Sequence, residues 1–204
     1  MKLIFDTETN GLTPGSGVLS FSALLVSLKN EIIEEVDRYY HRPPGVDPGE
    51  EALAVNGLYD DEIERRRAGA DYPRHFAEDD YIPALFARAD LLIAHNILFD
   101  LGHVKDAHRV EDKPLFCTME STKWLYDYPC LKHGEPKWPK LSEAAAHFKI
   151  DLKEIAEKTG LDFHDSLFDV FVTFEIYKKL EELGPEAVHE GRRKFFKKKA
   201  KGRA

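Results

Sequence analysis

The segment from Asp165 to Leu183 constrains the fold most, because its apolar residues recur at helical spacing on more than one side. One stripe comprises Leu167, Val170, Phe171, Phe174, Tyr177 and Leu180, and a second comprises Phe168, Val172 and Ile176. A surface helix needs only one apolar stripe. We therefore predict a largely buried helix with Asp165 as its N-cap. Such a helix needs a sheet or other helices to cover it.

Apolar runs in the first hundred residues predict strands. Lys2–Asp6 is short and apolar, and Val18–Leu28 and Glu31–Tyr40 flank a two-residue turn, which predicts an antiparallel hairpin. Leu91–Ala94 predicts a short buried strand. Further helices are predicted over Glu50–Arg67, Tyr81–Ala89, Asn96 (as N-cap) to about Val110, Cys117–Tyr126 and Leu141–Phe148. This order predicts an α/β domain with a mixed sheet.

The chain has 204 residues and a formal net charge of −8. Its length predicts a single domain over residues 1–185, followed by a basic C-terminal tail over residues 186–204. Residues 191–204 hold eight of the chain's 29 Lys and Arg, which leaves 21 against 37 acidic residues in the rest, or −16. An acidic body argues against simple charge-driven binding of nucleic acid. The tail is either a solvated end or a phosphate-binding arm.

Cysteine usage and hydropathy exclude several classes of protein. Two cysteines, Cys117 and Cys130, exclude a disulfide framework and a four-cysteine zinc site, and we expect both to be ordinary packed thiols. The longest mostly apolar stretch, Val18–Leu28, is too short to span a bilayer. Asp6 and Glu8 interrupt the N-terminus before a signal peptide could form. We therefore expect a cytoplasmic protein with no membrane partner.

Carboxylates in apolar surroundings indicate where chemistry takes place. Asp6 and Glu8 lie at the end of the first predicted strand, where residues i and i+2 point to one face. A second pair at this spacing, Asp60 and Glu62, begins an amphipathic helix, so the spacing alone is weak. Its position before a glycine-rich loop distinguishes the first pair. Adjacent carboxylates repel unless a cation joins them, and such oxygen-rich sites suit Mg²⁺ or Mn²⁺.

Two more carboxylates stand in predicted helices. Asp100 is flanked by Phe99 and Leu101, and Asp169 falls in the largely buried helix. A buried carboxylate needs a cation or hydrogen-bond donors. His164 precedes that helix, and an imidazole can accept a proton near neutral pH. Four carboxylates around two divalent ions form a site for phosphoryl transfer.

Three segments, FDTETNGL (5–12), AHNILFD (94–100) and HDSLFD (164–169), resemble in order the motifs of the DnaQ-like 3′–5′ exonucleases of the DEDDh branch. Weaker similarity covers VNGLYDDEI (55–63), LFCTMESTKWL (115–125) and WPKLSEAAAHF (138–148). The resemblance implies a ribonuclease H-like fold. In that fold a five-stranded mixed sheet, with three antiparallel N-terminal strands followed by parallel ones, is flanked by helices.

The resemblance also assigns roles by motif. The metal-binding carboxylates would be Asp6, Glu8, Asp100 and Asp169, holding two Mg²⁺ or Mn²⁺ ions, with His164 as general base. Substrate contacts would come from Thr9, Asn10, Gly11, Leu12, Asn96 and Phe99, with Leu12 as a wedge beside the terminal base. His95 is expected to be structural. Ser166 stands where many members have Ala, and we expect no loss of function from it.

The expected activity is hydrolysis from a free 3′ end of single-stranded nucleic acid, with DNA favoured and RNA an alternative, and release of nucleoside 5′-monophosphates. Proofreading and DNA repair are the family's typical settings. A homodimer is an open alternative because many members are dimers. Only about twenty residues follow Leu183, which argues against a tightly held polymerase subunit.

Three readings stay open at this point. The alternatives to the exonuclease are a non-catalytic nucleic-acid-binding module and a phosphodiesterase acting on very short oligonucleotides. A binding module has no use for four carboxylates near a phosphate. Lys132, His133, Lys137 and Trp138 are either a basic and aromatic contact for single strands or a rigid loop with Trp138 packed on the core.

Overall fold

The computed structural model describes residues 1–126 and 134–201. The strands are β1 (Lys2–Thr9), β2 (Val18–Val26), β3 (Ile32–Tyr39), β4 (Leu91–Ala94) and β5 (Leu115–Cys117). The helices are α1 (Glu50–Asn56), α2 (Asp60–Arg66), α3 (Tyr81–Ala87), α4 (Ile97–Ala107), α5 (Thr118–Lys123), α6 (Leu141–Phe148), α7 (Leu152–Thr159), α8 (Ser166–Leu183) and α9 (Pro185–Lys201). No helix in these ranges combines the length and the apolar character needed to cross a membrane.

The strands form one mixed sheet in the order β3-β2-β1-β4-β5. β2 pairs antiparallel with β1 and β3, whereas β4 pairs parallel with β1 and β5. The predicted five-stranded mixed sheet is therefore confirmed. β2 is buried at every position, which explains its continuous apolar sequence.

Adjacent residues of β1 face opposite sides of the sheet. Leu3 and Phe5 belong to one apolar core, shared with α3 and α4, whereas Ile4 belongs to a second core, shared with α8. By the same alternation Asp6 and Glu8 lie on the α8 side and Thr7 lies on the α4 side. This alternation decides how the candidate site is assembled.

α8 is the central helix predicted from its two apolar stripes. Most of its residues are buried, and it packs against β1 and β2. Its N-cap is Asp165, whose Oδ1 accepts a hydrogen bond from the backbone N–H of Leu167 at 3.1 Å. Both predictions for this segment are confirmed. Asp169 consequently lies in the first turn of the helix, next to the end of the sheet.

Several predicted boundaries were wrong. The helix predicted over Glu50–Arg67 is two helices, because Gly57 adopts a left-handed conformation (φ 70°) that ends α1. Cys117 ends β5, a three-residue strand with no periodic signal, so the helix predicted to begin there starts one residue later. β1 extends to Thr9 rather than ending at Asp6. Asn96 precedes α4 but has a φ of 75° and makes no side-chain cap.

Two helices were not predicted. α7 begins after Asp151, whose Oδ1 accepts hydrogen bonds from the backbone N–H groups of Lys153 and Glu154. α9 contains most of the basic tail. Val188 of α9 packs against the α8-side core, and a Cβ added at Gly191 would lie 2.1 Å from the carbonyl oxygen of Trp124. The tail therefore begins as a helix in close contact with the domain.

Candidate active site

The end of β1 carries the paired carboxylates. Asp6 lies opposite Ser22 of β2 and Glu8 lies opposite Ser20, and the register shifts between Glu8 and Thr9. A β-bulge of this kind re-aims the side chains beside it and is common next to active sites. Asp6 and Glu8 share the face that α8 covers, as the i, i+2 spacing predicts.

The third motif reaches the same place from α8. Glu8, His164 and Asp169 each offer one metal-ligating atom, and these three atoms lie within 4.8 Å of one another. Glu8 and Asp169 are 161 residues apart in the sequence. The structure therefore brings three of the five predicted residues into one cluster.

Asp100 approaches from the opposite side of the sheet. It is buried at the start of α4, and its Oδ1 accepts hydrogen bonds from both the backbone N–H and the hydroxyl of Thr7, at 3.0 and 2.9 Å. The negative charge of Asp100 nevertheless acts on Asp6, where it helps to raise that residue's pKa. The four predicted carboxylates thus meet around the end of β1.

Burial holds all four carboxyl pKa values above their ordinary range, and repulsion from other carboxylates adds to this at Asp6, Glu8 and Asp169. Burial is the largest cause in each case, and it raises the pKa of Glu8 to about 8 and those of Asp100 and Asp169 to about 7. The pKa of Asp6 is raised well above its usual value, by burial and then by Asp100, Asp169 and Glu8. These carboxylates cannot all be ionised cheaply without a counter-charge.

The donor set fits divalent cations. Oδ1 of Asp169 is buried and has no hydrogen-bond partner among the described residues, which is costly for a carboxylate oxygen unless a cation binds it. Clustered carboxylate oxygens are the ligands that Mg²⁺ and Mn²⁺ take. Glu8 and Asp169 could therefore hold a cation between them, with His164 close by.

His164 is exposed and adopts a left-handed backbone conformation, with a φ of 71°. Non-glycine residues rarely do so, and such strain persists where the surroundings hold it. A hydrogen bond from the His164 backbone to the Asp169 carboxyl lowers the pKa of Asp169, and the next residue is held as well. Oδ2 of Asp165 accepts a hydrogen bond from the guanidinium of Arg66 at 2.8 Å, and Oδ1 caps α8.

Arg66 was not singled out by sequence reasoning. Its guanidinium also donates to the hydroxyl of Tyr39 at 2.9 Å and to Glu62 at 2.7 Å, so it joins α2, β3 and the start of α8. The available signal was its position four residues after Glu62 on a helix. That spacing favours the pair with Glu62, but it carries no information on the contact with Asp165, 99 residues away.

A chain of hydroxyls lies beneath the third motif. The Ser166 hydroxyl is buried and lies 2.8 Å from that of Ser20 and 2.7 Å from that of Ser22, which in turn donates to Asp37. Burial raises the pKa of Asp37 to about 6. An Ala at position 166 could not take part in this chain. Ser20 and Ser22 alternate along an otherwise apolar strand, which was the signal for it.

The predicted contacts after β1 divide into two kinds. Both ends of the Asn10 amide are used within the fold, since its Nδ2 donates to the carbonyl of Asp47 and its Oδ1 accepts from the backbone N–H of Gly49, each at 2.9 Å. The Thr9 hydroxyl donates to the carbonyl of Gly11 at 2.7 Å. Leu12, by contrast, is 83% exposed and free to meet a ligand.

The remaining predicted residues lie close to the start of α4. Asn96 is exposed, and the ring of Phe99 packs against that of His103, with centroids 4.5 Å apart. His95 is structural as predicted, because its ring nitrogens lie 3.0 Å from the Thr118 hydroxyl and from the Pro139 carbonyl. Burial lowers the pKa of His95 to about 4.

Asn56 is a second residue that sequence reasoning missed. Its Nδ2 donates to the carbonyl of Thr9 at 3.1 Å, and a hydrogen bond from its side chain lowers the pKa of Glu8, against the larger effect of burial. A cavity of about 530 Å³ opens between Asn56, Arg66 and His164.

Cys117 is a free thiol, whereas Cys130, Lys132 and His133 lie outside the described residues.

Sequence comparison finds relatives at low identity. The chain is 24% identical over 188 residues to a PolC-type DNA polymerase III of Bacillus subtilis, a match that covers 81% of this chain and 12% of that protein. It is 25% identical over 198 residues to the PolC-type enzyme of Streptococcus pneumoniae, covering 87% and 13%. The chain thus spans about one eighth of the length of these curated relatives. No protein-family model matches it.

Solved structures with partial likeness are nucleases. One is a full-length 3′-exonuclease (TM-score 0.47, 13% identity, covering 89% of this chain and 60% of that one). Another is the nuclease domain of 3′hExo, described as a DEDDh family member and bound to rAMP (TM-score 0.44, 13% identity, 90% and 92%). The sequence similarity to PolC-type polymerases, at 24–25% identity, agrees with the resemblance predicted from the three motifs.

Proposed function

We propose that this chain, which resembles the DnaQ-like 3′–5′ exonucleases of the DEDDh branch, removes nucleotides one at a time from the 3′ end of single-stranded nucleic acid. The observation that supports the proposal is the meeting of four carboxylates and one histidine, from three distant segments, around the end of β1. DNA is the favoured substrate and RNA the alternative. The products are nucleoside 5′-monophosphates.

The carboxylates Asp6, Glu8, Asp100 and Asp169 would hold two divalent ions, Mg²⁺ or Mn²⁺. Such ions supply charge neutralisation at the phosphate and lower the pKa of an attacking water. The unpartnered Oδ1 of Asp169 supports this assignment. Without cations, whatever negative charge the carboxylates carry would repel a phosphate.

His164 is the general base. Its imidazole lies within reach of Glu8 and Asp169 yet remains exposed, so it can accept a proton from water at the site and release it to solvent. Arg66 and Asp165 hold the backbone on which His164 stands. Leu12, in the exposed loop after β1, contacts the terminal base of the substrate. Asn96 and Phe99 lie alongside the nucleic-acid strand that leads to that base.

The test uses a 20-nucleotide single strand labelled at its 5′ end, as DNA and as RNA of the same sequence, with Mg²⁺, Mn²⁺ or EDTA. A ladder of products shortening from the 3′ end, present with metal and absent in EDTA, is expected. An oligonucleotide with a blocked 3′ end and the Asp6→Asn variant serve as controls. Internal cuts, or turnover in EDTA, would contradict the proposal.

The same assay separates the alternatives. A non-catalytic module would bind the 20-mer and leave it intact with Mg²⁺ or Mn²⁺ as well as in EDTA. A phosphodiesterase of very short oligonucleotides would cleave a dinucleotide and leave the 20-mer untouched. Light scattering of the pure chain checks the separate prediction of a homodimer, and added polymerase would test association in the same measurement.

A further inference from the structure

A groove of about 770 Å³ lies beside the acidic site and takes no part in the chemistry described above. It opens at the carboxyl ends of β4 and β5, between the starts of α4 and α5. Its lining is mainly apolar and includes Leu98, Leu115, Met119 and Trp138. Leu98 is 75% exposed and Trp138 is 44% exposed. Solvent-exposed apolar side chains gathered in one groove indicate a binding surface.

The groove lies close in the fold to the candidate active site. Asn96 lines its rim and directly follows β4, which pairs in parallel with β1. Neighbouring strands are about 5 Å apart, so the groove begins about one strand away from the strand that carries Asp6 and Glu8. Leu98 of the groove and Asp100 of the site are two residues apart on α4. A chain with its end at the carboxylates can therefore continue into this groove.

Trp138 is held in place by a buried cation. The ammonium nitrogen of Lys123 lies 3.6 Å from the centroid of the indole ring and 3.0 Å from a carboxylate oxygen of Glu135. Lys123 is one of the largest fully buried side chains of the protein. A cation over an aromatic ring is attractive, and here it fixes an indole that still lines the groove. A fixed, half-exposed indole is a platform on which a nucleic-acid base can stack.

The basic tail approaches the far wall of the groove. Glu120 lines the groove and accepts a hydrogen bond from the indole N–H of Trp124 at 2.9 Å, and the guanidinium of Arg192 lies 5.1 Å from the Trp124 ring. At Gly191 the backbone of α9 lies so close to the carbonyl oxygen of Trp124 that an added Cβ would be 2.1 Å from it. Arg193 and Lys194 come next on α9, and the sequence of residues 191–204 holds eight Lys and Arg. Their charge complements a phosphodiester backbone.

We infer that the groove binds unstacked bases of a single strand whose 3′ end lies at the carboxylates, with Trp138 as the stacking platform. The cations of α9 bind phosphates farther upstream. The inference rests on the proposed exonuclease function and adds a subsite for the strand beyond its last nucleotides. Every base has a flat face that can stack on an aromatic ring. The subsite therefore favours long single-stranded substrates and does not discriminate between base sequences.

The test compares a thymidine dinucleotide with a thymidine 12-mer as substrates for the wild type and for Trp138→Ala. The KM for the 12-mer should rise by about 5- to 150-fold, the effect of losing one stacked base, while the dinucleotide KM stays within about twofold. Trp138→Phe should recover most of the loss. Leu28→Ala, an exposed apolar residue of the β2–β3 turn, is the matched control and should change neither substrate.

Leu98→Asn changes the apolar wall of the groove and leaves the contact between Lys123 and Trp138 in place. It is the second test variant if Trp138→Ala does not fold. It should also raise the KM for the 12-mer selectively. An unchanged ratio of the two KM values in these variants would overturn the inference. A change in oligomeric state with an unchanged ratio would do so as well, and would identify the groove as a contact between copies. A wild type that cleaves neither substrate would instead contradict the proposed exonuclease.

Discussion

The backbone N–H and the hydroxyl of Thr7 donate to the same oxygen of Asp100, at 3.0 and 2.9 Å. Thr7 stands between Asp6 and Glu8 but points to the other face of β1. The contact therefore ties a carboxylate from the α4 side to the strand that carries the α8-side pair. Both hydrogen bonds lower the pKa of Asp100, against the larger effect of burial.

Thr7→Val keeps the shape of the side chain and removes its hydroxyl. Asp100 then loses one donor, so we expect its pKa to rise further and its hold on a cation to weaken. A lost hydrogen bond to a buried charged group costs about 1.5–3 kcal/mol. We expect the half-saturating Mg²⁺ concentration to rise, as measured by a metal titration of exonuclease rate. Thr7→Ser keeps the hydroxyl and should restore the wild-type titration. Equal titrations for Val and wild type would contradict the role.

Arg66→Ala removes the guanidinium that holds Asp165. The backbone at His164 then loses its restraint, and we expect kcat to fall by about 10- to 100-fold with a smaller change in KM, because misplacement of a catalytic group by about 1 Å can have that effect. Arg65→Ala is the control, since Arg65 also pairs with Glu62 but is exposed on α2. Arg66→Lys should recover part of the rate. Equal losses in the two alanine variants would contradict the assignment.

His164→Gly distinguishes the chemical role of the imidazole from the strain of the left-handed backbone at this position. Glycine adopts a φ of 71° without penalty, so the variant should fold with a melting temperature close to that of the wild type. Its rate should fall by about 10²–10⁴, the usual contribution of a general base. His189→Ala, an exposed histidine on α9, is the control in assays of the dinucleotide. Near-normal turnover of His164→Gly would remove His164 from the mechanism.

The raised carboxyl pKa values predict how stability depends on pH in EDTA. Ordinary carboxyl pKa values in an unfolded chain are about 4, whereas Glu8, Asp100 and Asp169 titrate at about 7–8 in the folded protein. Between these values the folded state binds more protons than the unfolded state. The free energy of unfolding contributed by this cluster therefore falls as the pH rises from about 4 to about 8.

Asp6→Asn removes one charge from that cluster. The variant should melt at a higher temperature than the wild type at pH 8 in EDTA, and the difference should shrink at pH 5, where the wild-type cluster is protonated. Mg²⁺ at pH 8 should stabilise the wild type more than the variant, because the cation binds the folded state. Thermal melts of both proteins at the two pH values check this. A lower melting temperature for Asp6→Asn at pH 8 would contradict it.

Leu12→Ala tests the wedge at the terminal base. Leu12 is 83% exposed, so its loss should change the free energy of unfolding by no more than about 0.5 kcal/mol. The KM for the dinucleotide should rise, because the side chain contacts the base rather than the core. Leu28→Ala, which is 74% exposed, should leave both stability and KM unchanged. Matching kinetics for the two variants would show that Leu12 has no contact with substrate.

The main elements follow from local patterns in the sequence. The apolar stripes predicted α8, the two runs flanking a short turn predicted the hairpin, the order of elements predicted the mixed sheet, and the three motifs indicated the five candidate residues. Short elements escaped because they carry no periodicity, as with the three residues of β5. Gly57 divided a predicted helix because one left-handed residue can end a helix within an amphipathic stretch.

Contacts between distant segments are decided only by the tertiary structure. Residue type, local apolar surroundings and motif order are encoded along the chain, and they indicate Asp6, Glu8, Asp100, Asp169 and His164 as candidates. Neither the attachment of Asp100 to Thr7 nor that of Asp165 to Arg66 could be predicted, because a hydrogen bond across 90 or more residues depends on how sheet and helices pack. The same packing buries the carboxylates and sets their pKa values.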